Sequence, residues 1–194
     1  MADTATSADR SEETLVADAV DALLADNDPK EMSYEAFRGA QFDHGLAWVY
    51  FDRGHGGLGV SPILQKQVEI RLREAGASPM QPAMFFMHLA GPPIHPHGSD
   101  DSKKRFLRPM FTGEERWCQL FSEPDSGSDL ASLATRAVRD GDEYIINGSK
   151  IWSSGAHHSE YGILIARTDP DVPKHKGISY FIIPMDIPGL TLSP

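Results

Sequence analysis

The amino-acid sequence predicts an α+β protein, with an N-terminal all-α helical domain followed by an antiparallel β-domain. Apolar residues recur every three to four positions up to about Phe111 and every second position after Trp117. The helical and strand-like runs stand in two blocks and do not alternate, which argues against a doubly wound parallel sheet. We therefore expect a disordered tail at 1–12, a helical domain at 13–116 and an incomplete β-domain at 117–194.

The predicted helices span about 14–26, 33–45, 62–76, 82–90 and 99–111. The first, TLVADAVDALLAD, has the apolar spacing of an amphipathic helix. Ser33 and Ser61 are placed to cap the second and third helices, and Pro62 suits the first position of the third. Gly45 and Gly76 are placed to end these two helices.

Four strand-like runs follow Trp117: ATRAVRD, DEYIING, YGILIART and ISYFIIPMD. Asn147-Gly148 suits a type I′ turn that would join DEYII to SKIW in a hairpin, and Asp140-Gly141 marks another turn. The chain reaches Pro194 just after another apolar run, GLTL, has begun. A strand left half made exposes an unpaired edge, so we expect an incomplete chain.

Composition argues against several functions. The net charge of -10, without a basic stripe, argues against a nucleic-acid partner. No run of eighteen apolar residues is present, so no membrane span is expected. A single cysteine, Cys118, rules out an internal disulfide. The first residues also lack the pattern of a signal peptide, and we expect a cytoplasmic protein.

Two motifs that could indicate a ligand site are interpreted as ordinary structural features. GHGGLG at 54–59 matches the dinucleotide-binding fingerprint, but the next helix begins after its last glycine, which favours a simple turn. His95, His97, His157 and His158 are too loosely spaced to form a zinc site with Cys118, so no metal is expected. Solvated histidines, or one that shapes a ligand pocket, are the favoured alternatives.

The acidic loop SEPDSGSD follows an apolar run. Such a loop favours tight turns whose N–H groups converge on an anion, and the hydroxyls of Ser126 and Ser128 add donors. A plain turn with an Asx cap is an equal alternative. Trp152 alone is best explained as a core aromatic. Trp152 and Ser154 are two residues apart, however, and on one face of a strand they would suit a flat, polar-edged ring.

FSEPDSGSDLASL and NGSKIWSSGAHH resemble the two flavin-binding signatures of the acyl-CoA dehydrogenases. The resemblance extends through GGLG, HGSDDSKKRFL, GDEYIINGSK and KGISYFIIPMDIPGL, from about Tyr34 to the end. It implies FAD as the cofactor, an acyl-CoA substrate and an electron-transfer flavoprotein as the electron acceptor. It also implies a homo- or hetero-tetramer with a role in fatty acid or lipid catabolism.

The resemblance assigns the ring-binding positions by motif. The strand residues Gln119, Leu120, Phe121 and Ser122 would lie along the flavin ring, with the Ser122 hydroxyl at the pyrimidine edge, where donors stabilise the charge that arrives with the hydride. Gln119 stands where the family often has an aromatic residue.

The same resemblance assigns the remaining cofactor residues. Gly127 and Ser128 would bind the flavin pyrophosphate, and Ser128 would also contact the acyl-CoA. Trp152 would pack on the ring, while Ser153 and Ser154 would hydrogen-bond near N5. Pro124-Asp125-Ser126 replaces the commoner Pro-Gly-Ala, which places an extra negative charge beside this loop.

No catalytic residue is assigned in this chain. The family's base is a glutamate of a C-terminal helical domain, and Glu123 is interpreted as structural. We therefore expect an FAD-dependent acyl-CoA dehydrogenase chain that is inactive by itself. The alternatives are a flavin oxidase or monooxygenase of the same fold, and a non-catalytic subunit of a mixed oligomer.

Overall fold

The computed structural model describes residues 11–193. The chain divides into two compact units, one ending at Glu114 and the other beginning at Glu115. The elements of the first unit are helical and the second contains the sheet, so the predicted order of a helical block and a β block is confirmed. Residues 1–10 of the expected tail lie outside the described residues, and Glu12 already begins the first helix.

Within residues 11–193, five α-helices are present: α1 (Glu12–Asp26), α2 (Tyr34–Asp43), α3 (Gln65–Glu74), α4 (Met87–His97) and α5 (Asp100–Thr112). Ser11, Ser33 and Ser99 cap α1, α2 and α5, each hydroxyl accepting the N–H of the residue three positions on. The buried face of α1 packs against α3 in the core of the helical unit. None of the helices in the described part of the chain is long and apolar enough to cross a membrane.

Two helix starts differ from prediction. Ser61 makes no side-chain capping bond, and a 3₁₀ turn at Pro62–Leu64 leads into α3. The fourth helix begins at Met87 and continues past Ala90 through three prolines. A proline leaves the carbonyl four residues earlier without its helical partner, and for Pro92 and Pro93 these carbonyls belong to His88 and Leu89, which are exposed residues.

The sheet is built around β4 (Tyr161–Arg167). β5 (Ile178–Pro184) pairs antiparallel with β4 along its whole length. β1 (Trp117–Leu120) runs parallel to the first half of β4, and β2 (Arg136–Asp140) meets its last residue, also parallel. A strand has two hydrogen-bonding edges, so β1 and β2 share the edge opposite β5. β3 (Glu143–Asn147) pairs antiparallel with β2.

The expectation of an antiparallel β-domain needs one correction, because the sheet is mixed. The pairs β2–β3 and β4–β5 are antiparallel, whereas β1–β4 and β2–β4 are parallel. Parallel neighbours need a long crossover. Residues 121–160, which include the β2–β3 hairpin, provide it between β1 and β4.

The predicted hairpin at Asn147-Gly148 is wrong, whereas Asp140-Gly141 does mark a turn. Gly141 has a φ of 62° and joins β2 to β3. At Gly148 the backbone packs closely against Thr135. A Cβ at this position would lie 2.7 Å from Cα of Thr135 and nearer still to its hydroxyl. The chain therefore leaves the sheet after Asn147 and passes over the residue that precedes β2.

Candidate functional site

The sheet edge has a gap between β1 and β2, and Glu123 closes it. The chain leaves the edge after Leu120 and returns at Arg136, and the loop between them carries SEPDSGSD. The Glu123 carboxylate accepts the N–H of Ala134 at 2.6 Å and that of Thr135 at 3.0 Å. These two donors would otherwise lack a partner at the break, so one side chain replaces strand hydrogen bonds.

Lys150 forms a buried ion pair with Glu123. Its Nζ lies 2.8 Å from the carboxylate and donates to the Phe121 carbonyl at 3.0 Å. The two side chains are only 8% and 6% exposed, whereas those of the Arg116–Glu160 pair are 46% and 41% exposed. Burial acts to raise the pKa of Glu123, but hydrogen bonds from Lys150, Thr135 and Ala134 outweigh it and lower that pKa to about 2.

The second signature segment meets the first directly. The N–H of Ile151 donates to the carbonyl of Ser122 at 2.9 Å. The residue types of the two segments predicted a single site, and the segments do lie side by side. Lys150, which ties them together, was not singled out, and nothing in the local sequence marked it as buried.

Residues 148–155 form no strand, so the strand face predicted for Trp152 and Ser154 is wrong. Trp152 is not a core aromatic either, because it is 85% exposed. Its φ of 59° lies in the left-handed region, which is strained for a bulky side chain. The Ile151–Ser122 bond holds the chain before it, and the Ala156 N–H bonded to the Ser153 carbonyl holds the chain after it.

The two serines after Trp152 differ in their surroundings. The hydroxyl of Ser153 is buried and has no hydrogen-bond partner in the described part of the chain. Ser154 is exposed. Buried polar groups in native proteins are nearly always paired, so the Ser153 hydroxyl is a donor without its acceptor.

The acidic loop is folded around Ser126. Glu123 and Ser126 exchange backbone hydrogen bonds, and the Ser126 hydroxyl donates to the carbonyl of Asp129 at 3.0 Å. The predicted role of this hydroxyl as a free donor is therefore wrong. Gly127 and Ser128 are exposed, and among residues 11–193 their N–H groups donate to no protein acceptor. These two groups remain available to an anion.

Two cations that were not predicted hold the far end of this loop. Lys174 contacts both carboxylate oxygens of Asp129, at 2.6 and 2.8 Å. The Arg167 guanidinium donates to the carbonyls of Ala131 and Leu133, at 2.7 and 3.1 Å. Both side chains come from the β4–β5 region, and nothing in the local sequence linked them to this loop.

The four predicted ring-binding residues divide at the end of β1. Gln119 and Leu120 belong to the strand, whereas Phe121 and Ser122 follow it. The Leu120 side chain is buried in the core of the β unit, so only its backbone is accessible to a ligand. Gln119, Phe121 and Ser122 are half-buried.

The two motifs interpreted conservatively lie in ordinary structural settings. GHGGLG forms the turn between α2 and the Pro62–Leu64 segment, with three glycines at positive φ. The His95 ring stacks on Phe51 at 4.2 Å, and its Nε2 accepts the N–H of Asp52 at 2.9 Å. No group of three or more His, Cys, Asp or Glu residues placed to hold a metal occurs among residues 11–193.

Comparisons with known families cover both units. The family model described as "Acyl-CoA dehydrogenase, N-terminal domain" matches residues 8–114, and that described as "Acyl-CoA dehydrogenase, middle domain" matches residues 118–194. The acyl-CoA dehydrogenase FadE34 of Mycobacterium tuberculosis is 45% identical over 138 residues, which are 71% of this chain and 19% of that protein. FadE29 of the same organism is 41% identical over 150 residues, 77% of this chain and 37% of that protein.

Solved structures agree with the family matches. The Tcur3481-Tcur3483 steroid ACAD has a TM-score of 0.63 at 32% identity, covering 93% of this chain and 50% of that chain. An acyl-CoA dehydrogenase from Geobacillus kaustophilus has a TM-score of 0.60 at 27% identity, covering 94% and 50%. The chain therefore spans half or less of the length of these relatives.

Proposed function

Because the chain belongs to the acyl-CoA dehydrogenase family, we propose that its β unit holds the FAD of an enzyme that desaturates an acyl-CoA thioester between Cα and Cβ. The supporting observation is the junction at Ser122 and Ile151, where both signature segments meet. The junction presents the exposed ring of Trp152 and the unpartnered hydroxyl of Ser153. An aromatic face and an unused donor suit a planar, polar-edged ring.

Each residue of the junction would have a distinct role. Bound FAD would supply the hydride acceptor for the hydrogen that leaves the substrate Cβ. Trp152 would cover the ring and exclude water, while Ser153 and Ser154 would donate hydrogen bonds near N5. The Ser122 hydroxyl and the backbone of residues 119–122 would donate to the pyrimidine edge and stabilise the negative charge that arrives there.

The phosphate part of the cofactor would lie at the acidic loop. Gly127 and Ser128 are exposed, and their N–H groups, which donate to no acceptor among residues 11–193, would bind a pyrophosphate without a cationic side chain. Ser128 would also contact the acyl-CoA. Asp125 is exposed in the same loop, so its charge is screened by solvent.

Glu123 is not proposed as the base that removes the α-proton. Its carboxylate already accepts three hydrogen bonds, and its pKa of about 2 makes it a weak base. We propose no other catalytic base among the described residues. A bulky polycyclic acyl group is the first substrate class to test, because the steroid ACAD neighbour is 32% identical.

FAD binding by the purified chain tests the proposal. Titration followed by quenching of flavin fluorescence should give one site per chain. We expect Ser153→Ala to weaken binding about tenfold, since a hydrogen bond that only the ligand accepts is lost. Ser149→Ala, an exposed serine of the same segment, is the matched control and should bind as the wild type. Equal affinity of Ser153→Ala and the wild type would contradict the assigned role.

A second candidate function is a subunit of a mixed dehydrogenase. Two neighbours are named as two-protein assemblies, the Tcur3481-Tcur3483 steroid ACAD and the ChsE4-ChsE5 complex from Mycobacterium tuberculosis, at 32% and 28% identity. We propose that the protein carrying this chain forms a homo- or hetero-tetramer and passes electrons to an electron-transfer flavoprotein. Native mass spectrometry identifies the assembly. Oxygen consumption during turnover would instead indicate an oxidase.

A further inference from the structure

We propose that the buried Glu123–Lys150 ion pair is the positioning device of the flavin site, fixing the 150–154 segment against the end of β1. The inference rests on the proposed function and deepens it, since neither side chain is among the residues assigned to the cofactor. Glu123 and Lys150 act through their neighbours, so both are positioning residues and not catalytic ones.

Three stretches of chain converge on this pair. The Glu123 carboxylate binds Lys150 at 2.8 Å and Thr135 N–H at 3.0 Å through one oxygen, and Ala134 N–H at 2.6 Å through the other. Lys150 also donates to the Phe121 carbonyl at 3.0 Å. The end of β1, the start of β2 and the second signature segment are thus joined at one point.

The position of Lys150 sets the register of the residues that follow it. Ile151, the next residue, donates to the Ser122 carbonyl. Trp152 then takes its left-handed conformation, and Ser153 places its hydroxyl in a buried position without an acceptor. A shift of Lys150 would move all three, because no strand ladder holds residues 148–155.

The directed hydrogen bonds of the Glu123–Lys150 pair, more than any gain in stability, explain why an ion pair is buried at this position. Replacing a buried pair by neutral side chains of similar volume is often harmless to stability, because desolvation offsets the attraction between the charges. Such a replacement loses the directed bonds from one ammonium to two acceptors in the loop that follows β1. A positioning role therefore predicts that affinity for the flavin and stability respond differently.

Four variants of the full chain separate the two effects. In Glu123→Gln, the amide hydrogens face a backbone N–H, so one of the two backbone hydrogen bonds is lost. In Lys150→Met, the Glu123 carboxylate stays buried without its cationic partner. The double variant removes both charges. Glu160→Gln makes the same chemical change in the exposed Arg116–Glu160 pair and serves as the matched control.

The readouts are the dissociation constant for FAD, the thermal midpoint without ligand, and hydrogen exchange of a peptide containing residues 149–155. We expect each single variant to raise the dissociation constant about tenfold or more and to lower the midpoint. The double variant should recover part of the midpoint lost in Lys150→Met, because it leaves no buried charge unpaired, but neither the affinity nor the slow exchange of the Ile151 amide. Glu160→Gln should match the wild type in all three.

The proposal is overturned if the double variant binds FAD like the wild type, or if exchange at residues 149–155 is unchanged when the pair is removed. The exchange measurement needs no flavin. If the wild type failed to bind FAD, the proposed function would fall, while altered exchange in the variants would still support the positioning role.

Discussion

Trp152 combines two features that are each unfavourable in the protein without a ligand. Its backbone is left-handed at a φ of 59°, and its indole is 85% exposed. A non-glycine residue in this region costs on the order of 1–2 kcal/mol. Strain of this kind is typical of functional sites. The sequence indicated a ring-binding tryptophan here, but the predicted strand was wrong. The positive φ of Trp152 depends on the hydrogen bonds of Ile151 before it and Ser153 after it, which the local sequence does not show.

The strain at Trp152 leads to a first prediction. Trp152→Gly should raise the stability of the chain by about 0.5–1 kcal/mol, since glycine adopts positive φ freely and little buried surface is lost. Trp152→Ala is the matched control, because it removes the indole but keeps the Cβ that causes the strain. Urea unfolding measures both. A destabilised Trp152→Gly chain would show that the backbone of Trp152 is not strained. Both variants should bind FAD more weakly.

Glu123 leads to a second prediction, on pH dependence. Folding lowers its pKa from 4.5 to about 2, so the carboxylate stabilises the folded state above pH 4.5 and this contribution disappears as the pH falls through 2. The shift corresponds to about 3 kcal/mol. The free energy of unfolding of the wild type should exceed that of Glu123→Gln most above pH 5, and the difference should shrink toward pH 2. A constant difference across this range would refute the role of the charge.

At the scale of elements, local signals were predicted well and long-range ones were not. Ser33 caps its helix as expected, because a cap requires only the next three residues. Asp140-Gly141 and Asn147-Gly148 carry equivalent turn signals, yet only the first joins two strands. At Gly148 the chain packs against Thr135, the residue before β2, which leaves no room for a side chain at Gly148.

The contact at Gly148 gives a third prediction. Gly148→Ala should destabilise the chain by about 1–3 kcal/mol, because the new methyl group meets the backbone of Thr135. Gly127→Ala is the matched control for stability, since a Cβ there meets nothing within 4 Å and the change should stay within about 0.5 kcal/mol. The thermal midpoints of the two variants measure this difference in stability. Equal midpoints would show that the close approach at Gly148 tolerates a side chain.

At the scale of the whole molecule, the order of a helical block and a β block followed from the change in hydrophobic period. The parallel pairs did not, because a crossover that contains a hairpin has the same strand runs as a simple meander. The family matches cover both units, and the chain spans half or less of its relatives. The proposed flavin residues all belong to the β unit.

A fourth prediction concerns ligand linkage. If FAD binds the folded chain but not the unfolded one, a hundredfold excess over the dissociation constant stabilises the folded state by about 2.7 kcal/mol. The thermal midpoint should therefore rise with flavin concentration. Riboflavin, which lacks the phosphates, should give a smaller rise because it cannot use the Gly127 and Ser128 N–H groups. Equal shifts with the two ligands would contradict the phosphate role of the acidic loop.

Amide hydrogen exchange of the full chain with and without saturating FAD tests directly whether the flavin site lies in the β unit. We predict that the cofactor slows exchange in two stretches of the β unit, 119–128 and 149–155, and that the two respond together. Protection confined to residues 11–114, or no protection at saturation, would contradict the assignment of the flavin site to this unit.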